Sequence, residues 1–349
     1  MTRTLMRYDP IVGTLFTPNL KLRVAGEKGG HLVRTNAAGF RSEREFTTER
    51  IPGKFRAIMF GDSQTAGETV SNKQRFSDLL ERNIPDLEVY NYGIGATGPD
   101  QHFLTYQHRC DVEHDLVVIV VYTENIRRIC RRLVASRAAD GSTIFYAKPY
   151  FEMSNGNLEV RNVPVPKQTW SEQTLPEEFK PHVYSFYENS LFATLTGTKR
   201  LLPRLPKFLG PMREFIRIAA ARAPGVRMLP EYNTSRNPGW LLLRAILENW
   251  VHASSKPVLI VTIPHYITFV SGGDPTRYRA RFRELIATTG CHYYDFLPDV
   301  LKLPTAARRK LWSDWSNHLT PSAHELLAER LTPVVQSLIR EAQRTPNRG

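Results

Sequence analysis

The sequence predicts a doubly wound α/β fold, a parallel sheet of about five strands covered by helices on both faces, and three observations carry that expectation. Short apolar runs recur at "RAIMF" (56–60), "LEVYN" (87–91), "DLVVIVVY" (115–122), "PVLIVTI" (257–263) and "HYYDF" (292–296). Between the first three lie the helical patterns "RFSDLLERN" and "PDQHFLTYQHRCDV", the alternation of strand and crossover helix that builds parallel sheets. The third run is apolar throughout Leu116 to Val121, as suits a central strand buried on both faces. In such folds reactive groups gather beyond the carboxyl ends of the strands, so the residues following each run are the ones that matter chemically.

Residues 1–50 show no periodicity beyond "LKLRVAG" and are expected to be an arm packed on the core, which takes 51–125 and 237–340. The first strand stops at Gly61-Asp62-Ser63 in "RAIMFGDSQTAGETV" (56–70), a tight turn that leads into an amphipathic helix in "SNKQRFSDLLERNI" (71–84). A hydroxyl at such a tip is presented by rigid backbone, although Asp and Ser in that position also serve as ordinary helix caps. The second strand runs into "NYGIGATGPDQ" (91–101), a glycine-rich turn whose N–H groups can point inward. The third runs into "YTENIRR" (122–128), which sets the uncharged amide of Asn125 at the same edge, as a donor or as a turn residue.

From 126 to 236 the alternation is interrupted, and this stretch is expected to be an insertion over the strand ends, a lid or substrate-binding subdomain or a plain cap. Its "YAKPYFEMSNGNLEVRNVPVP" (146–166) reads as a hairpin through Asn155-Gly156. The sandwich resumes with a capped helix in "NPGWLLLRAILENWVHASS" (237–255). His265 ends the fourth strand in "TIPHYI". His318 lies in a polar loop of "LWSDWSNHLTPSAHELLAERL" (311–331), just ahead of a helix opened by Thr320-Pro321-Ser322. His324 is expected to pack inside that helix, and His102, His108 and His114 to be surface or structural. The chain closes with a basic tail, 341–349.

Composition narrows the function classes. The 349 residues are 41% hydrophobic and 23% charged, ordinary for a soluble chain; no apolar run is long enough to span a bilayer, the start "MTRTLMRYDPIVGTLF" lacks a secretory pattern, and the cytoplasm is the expected location. Cys110, Cys130 and Cys291 are widely spaced with no Cys-x-x-Cys pair, so reduced, buried thiols are expected and no metal site. The net charge of +13 concentrates in "RRICRRLVASR" (127–137) and in 199–227, which reads as solvated helix faces or as a grip for an acidic glycan or membrane surface. No recognition module or stacking platform accompanies that charge, so nucleic acid is not an expected partner.

A nucleophilic Ser63 would need a base, an orienting carboxylate and donors for a developing oxyanion. His318 is the base candidate and Asp314, four residues before it, the orienter or else a surface turn carboxylate. The donors would come from the glycine-rich turn and Asn125. Four blocks in order then resemble one family, the SGNH hydrolases or GDSL-type esterases: "FGDSQTAGETV", "NYGIGATGPDQ", "VVYTENIRR" and "SNHLTPSAHELLA". The resemblance spans about 41–130 and 257–331 and includes the lead-in "TNAAGFRSERE" (35–45).

That resemblance implies a flavodoxin-like sheet, Ser63 as nucleophile, His318 as base, and an oxyanion hole from the Ser63 amide, an amide at Gly95 or Ala96, and Asn125, with no cofactor or metal. Asp62, Gln64, Glu124 and His265 are further cleft-lining candidates. Three departures stand out: Ala96 replaces a common glycine, Glu124-Asn125 replaces Asn-Asp, and Trp315 holds the position three before the histidine where members carry the acid. The function implied is hydrolysis of short acyl esters, O-acetyl groups on carbohydrate foremost. Acyl transfer to a glycan or natural-product hydroxyl, or ligand binding on a degenerate scaffold, are the alternatives.

Overall fold

The computed structural model describes residues 4–26, 29–137, 141–185, 229–271, 274–313 and 318–344. Its first elements were not foreseen: two short antiparallel hairpins, β1 (Met6–Asp9) with β2 (Gly13–Phe16) and β3 (Lys21–Val24) with β4 (His31–Arg34). Val12, Leu15 and Phe40 of this arm enter the main core, so the arm is part of the packed body.

The central sheet is built from β5 (Phe55–Phe60), β6 (Leu87–Asn91), β7 (Leu116–Tyr122), β14 (Val258–Ile263) and β15 (His292–Asp295). All are paired in parallel in the spatial order β15-β14-β7-β5-β6, the doubly wound order expected. Largely apolar, these strands feed two cores by simple alternation. Ile58, Phe60, Val117, Ile119, Val121 and Ile260 face one layer; Ala57, Met59, Val118, Val120, Leu259 and Val261 face the other.

Helices cover both faces. In chain order they begin with α1 (Ser63–Ala66), α2 (Phe76–Asn83), α3 (Pro99–Arg109) and α4 (Ile126–Ile129). Then come α5 (Pro238–Ala253), α6 (Tyr266–Ser271), α7 (Thr276–Thr289), α8 (Leu297–Leu301), α9 (Thr305–Lys310) and α10 (Pro321–Arg344). The first core takes Phe103 and Leu104 of α3, Trp240, Leu243 and Trp250 of α5, and Phe282 and Leu285 of α7. The second takes Phe76 and Leu80 of α2, Phe269 of α6 and Leu327, Leu331 and Val335 of α10. Among the described residues no helix is long and apolar enough to cross a membrane.

Between β7 and α5 the chain forms β8 (Leu133–Arg137), β9 (Thr143–Ala147), β10 (Tyr150–Ser154), β11 (Asn157–Arg161), β12 (Thr169–Trp170) and β13 (Val183–Ser185). Strands β12, β9, β8 and β13 make a second sheet with a small core around Leu133, Phe145, Trp170 and Leu175. The β10–β11 hairpin turns through Asn155 (φ 50°) and Gly156 (φ 81°), the left-handed pair that matches strand twist. Its Phe151 stacks on Phe103 at 5.9 Å, inside the first core. The basic stretch 199–227 lies outside the described residues. Of the cysteines, Cys291 is buried, Cys110 half-buried and Cys130 exposed, so burial does not extend to all three.

Three histidines are buried as neutral rings. His102 of α3 bonds Thr97 Oγ1 at 2.9 Å, and His324 of α10 accepts the Phe76 N–H through Nδ1 at 3.2 Å while stacking on Phe76. Burial and nearby Arg128 and Lys148 push His102 down to about 3; burial and nearby Arg41 push His324 to about 3 and His31 to about 4. The unfolded chain takes up these protons near pH 6.5 and the folded chain does not. The stabilisation is therefore complete above pH 6.5 and is lost as pH falls from there toward 3, at roughly 1.4 kcal/mol per pH unit per histidine. Thermal unfolding midpoints should fall on acidification from pH 7 to pH 5, and His324→Gln should make that decline shallower whatever its starting stability.

Candidate active site

Strand β5 delivers its end to the carboxyl edge of the sheet through a turn that only glycine permits. A Cβ at Gly61 would lie 2.1 Å from Thr65 Oγ1. Asp62 follows in extended backbone and caps α1, its Oδ1 accepting the Gln64 N–H at 3.0 Å. Ser63 is thus the first residue of a four-residue helix closed by left-handed Gly67 (φ 75°), whose N–H returns to the Ser63 carbonyl at 2.9 Å. As a first-turn residue, Ser63 has an amide N–H that no carbonyl of its own helix can reach.

The partner of Ser63 comes from the other end of the chain. His318 Nε2 lies 2.8 Å from Ser63 Oγ, across 255 residues of sequence. The loop that carries His318 is pinched shut by an antiparallel bridge between Trp312 and Leu319 and by Ser313 N–H donating to the His318 carbonyl at 2.8 Å. Leu319 then docks on the Ser63 segment from both sides: its N–H donates to Gln64 Oε1 at 3.0 Å, and its carbonyl accepts from Thr69 Oγ1 at 2.5 Å. His318 Nδ1 is buried and has no partner among the described residues. Asp314, the expected orienter, lies outside the described residues, as does Trp315.

Asn125 ends the single 3-10 turn Thr123–Asn125 after β7 and is fully buried. Its Nδ2 donates to Asp62 Oδ2 at 3.1 Å, and facing a carboxylate fixes which end of the amide is the nitrogen. An amide nitrogen carries two hydrogens, so one remains for a second acceptor. Glu124 turns the other way, toward β14: its Oε2 is 3.6 Å from His265 Nε2, and His265 stacks on Tyr122. His265 Nδ1 accepts the Ile267 N–H at 3.3 Å, which leaves the Nε2 hydrogen facing Glu124.

The glycine-rich turn closes the third side. A Cβ at Gly93 would lie 2.6 Å from Ala66 N, so this turn presses directly on α1. Gly95 faces the serine, a Cβ there lying 4.0 Å from Ser63 Cβ. Ala96 adopts φ 65°, a left-handed conformation that glycine takes without strain and alanine does not.

Asp62, Gln64 and His265, named as cleft-lining candidates, are buried, as is Ser63 itself. Asp62 gathers three donors, since Arg128 Nη1 also reaches its Oδ2 at 3.3 Å and donates to the Thr97 carbonyl at 2.8 Å. Arg128 belongs to the basic stretch 127–137, expected to be a solvated helix face or a grip for an acidic partner, and is buried. Three more residues were missed. Lys148, between β9 and β10, is buried against Asp100 at the start of α3. Arg41 lies fully buried, its guanidinium donating to Asn72 Oδ1 and Ala66 O, each at 2.9 Å, and to the carbonyls of Gly67 and Val70. Glu68, in the quoted "TAGETV", places Oε2 3.3 Å from His318 Nε2.

No protein-family model and no curated protein matches the chain. Among solved structures it is similar to a lipase/acylhydrolase from Enterococcus faecalis, at 15% identity over 85% of this chain and 100% of that one, TM-score 0.41. A lipolytic protein of the G-D-S-L family from Veillonella parvula matches at 9% identity over 81% and 98%, TM-score 0.41. An acetylxylan esterase from Geobacillus stearothermophilus matches at 13% identity over 81% and 95%, TM-score 0.36. Likenesses this distant leave the functional reading to the chemistry of the site.

Removing the Asp62 carboxylate would uncap α1 and take a charged partner from buried Arg128. Asp62→Ala should therefore lower the unfolding free energy by about 3–5 kcal/mol, read from the urea midpoint at unchanged m-value. A loss below about 1 kcal/mol would contradict this role.

Proposed function

We propose that the protein is a serine esterase that removes short acyl groups, O-acetyl groups on carbohydrate hydroxyls foremost, through an acyl-enzyme on Ser63. The observation that carries this reading is the 2.8 Å approach of His318 Nε2 to Ser63 Oγ at the carboxyl edge of the sheet. The choice of O-acetyl esters rests on the resemblance of the four motif blocks. The Ser63 hydroxyl donates to Nε2, and as Oγ attacks the ester carbonyl its proton passes to His318. Negative charge then develops on the carbonyl oxygen. The Ser63 N–H, an amide at Gly95 or Ala96, and the second hydrogen of Asn125 Nδ2 are the donors for it.

Collapse of this intermediate breaks the ester C–O bond, and the imidazolium returns its proton to the departing alcohol. Water, deprotonated by the same nitrogen, attacks the acyl-enzyme in the second half and restores the Ser63 hydroxyl. On this reading Asp62 does not touch substrate; through Asn125 it positions the oxyanion donor. Asp314 remains the candidate to hold Nδ1.

Hydrolysis of p-nitrophenyl acetate gives the test. Ser63→Ala should reduce kcat by at least about 10³-fold, and Asn125→Ala by roughly 10²–10³-fold. A fluorophosphonate probe should label Ser63, as peptide mapping would read. Turnover unchanged in Ser63→Ala would overturn the nucleophile. Asp314→Asn should cost about 10²-fold or more if this carboxylate fixes the tautomer, and a change within about twofold would mean that another group holds Nδ1.

A further inference from the structure

We propose that Glu68 selects the alcohol half of the ester, favouring alcohols that carry a cationic or hydrogen-bond-donating group beside the ester oxygen and rejecting anionic ones. The inference rests on the esterase reading and adds the substrate class to it. Glu68 directly follows the turn that closes α1, its N–H donating to the Ser63 carbonyl at 3.1 Å, and its side chain is 54% exposed at the mouth of the site. Its Oε2 lies 3.3 Å from His318 Nε2, and a Cβ at Gly95 would lie 3.6 Å from the same oxygen. The carboxylate therefore stands between the base and the glycine-rich turn, beside the serine.

The chemistry of the reaction says which half of the substrate it meets. To take its proton back, the departing alcohol oxygen must come within hydrogen-bond distance of His318 Nε2, about 3 Å. A group 3.3 Å from that same nitrogen is then about 6 Å or less from the alcohol oxygen, within reach of a substituent on the adjacent carbon. The resting proton arrangement leaves the carboxylate available. The esterase reading requires Nε2 to accept the Ser63 hydroxyl, and in that tautomer it has no hydrogen to give Glu68, whose lone pairs point to whatever enters. Vicinal hydroxyls of a sugar, or an ammonium group, satisfy them; a carboxylate or phosphate there would face like charge. The chain as a whole is strongly positive, at +13, so a negative group at the mouth opposes the long-range field and acts only at contact range.

Three acetate esters that differ chiefly in charge isolate the effect: acetylcholine, its neutral isostere 3,3-dimethylbutyl acetate, and O-acetylglycolate, measured at about 0.15 M salt to screen the distant charges. The full-length protein should show kcat/KM falling in the order cationic, neutral, anionic. In Glu68→Gln the cationic-to-anionic ratio should collapse by about tenfold or more, the scale expected for one charge at this separation near a protein surface. The ratio is the readout because any effect of the substitution on His318 applies to all three esters and cancels. Esters turned over through Ser63 with the same ratio in both proteins would overturn the role of Glu68 and leave the esterase reading standing. Absence of turnover on every ester would overturn the esterase reading and this inference with it.

Discussion

The site is organised around one buried carboxylate. Asp62 cannot be left charged in an apolar edge of a sheet without donors, and the three it collects come from its own turn and from the segment that follows β7. Gln64 N–H caps the helix that presents Ser63, Asn125 Nδ2 arrives from the end of β7, and Arg128 Nη1 comes from α4 and binds the Thr97 carbonyl of the glycine-rich turn as well. Satisfying Asp62 therefore fixes the relative positions of the ends of β5, β6 and β7. Geometry that catalysis needs follows from an electrostatic requirement of folding.

The same logic recurs one layer out. Arg41 brings a guanidinium from the arm to the carbonyls of residues 66, 67 and 70, groups that a short helix and its exit turn leave without intrahelical donors. Lys148 reaches from the inserted sheet to Asp100 under α3. Burial of Arg41 beside Arg75 lowers its pKa to about 9, the signature of a cation removed from water and held by dipoles. Neither the arm nor the insertion is an appendage to the sandwich, since each supplies a buried cation to the walls of the site.

Much of this architecture is legible in the sequence because it depends on local pattern. Runs such as "AIMF" and "LVVIVV" are apolar at every position and end at polar or turn residues, and they fall inside β5 and β7. The hairpin through Asn155-Gly156 is equally local, since the turn needs two left-handed residues and has them. Of the arm hairpins only the strand Lys21–Val24 left a trace, in "LKLRVAG", because strands of four residues such as Met6–Asp9 and Gly13–Phe16 carry too little alternation to read. Arg41, Arg128 and Lys148 were invisible for a deeper reason. A basic residue in sequence looks solvated, and its burial is decided by carbonyls and carboxylates far along the chain. Gln64 illustrates the converse: placed beside the serine it reads as cleft lining, yet its partner is the Leu319 peptide.

That Leu319 contact has a bearing on biosynthesis. Ser63 and His318 are brought together by a loop that lies 255 residues downstream and is docked by the Leu319 contacts with Gln64 and Thr69. A nascent chain emerging from the ribosome has the whole serine turn, glycine-rich turn and Asn125 in hand long before residue 318 is translated. Until then the Ser63 hydroxyl has no imidazole beside it, so the order of these segments along the chain makes the Ser63–His318 contact one of the last to form during synthesis.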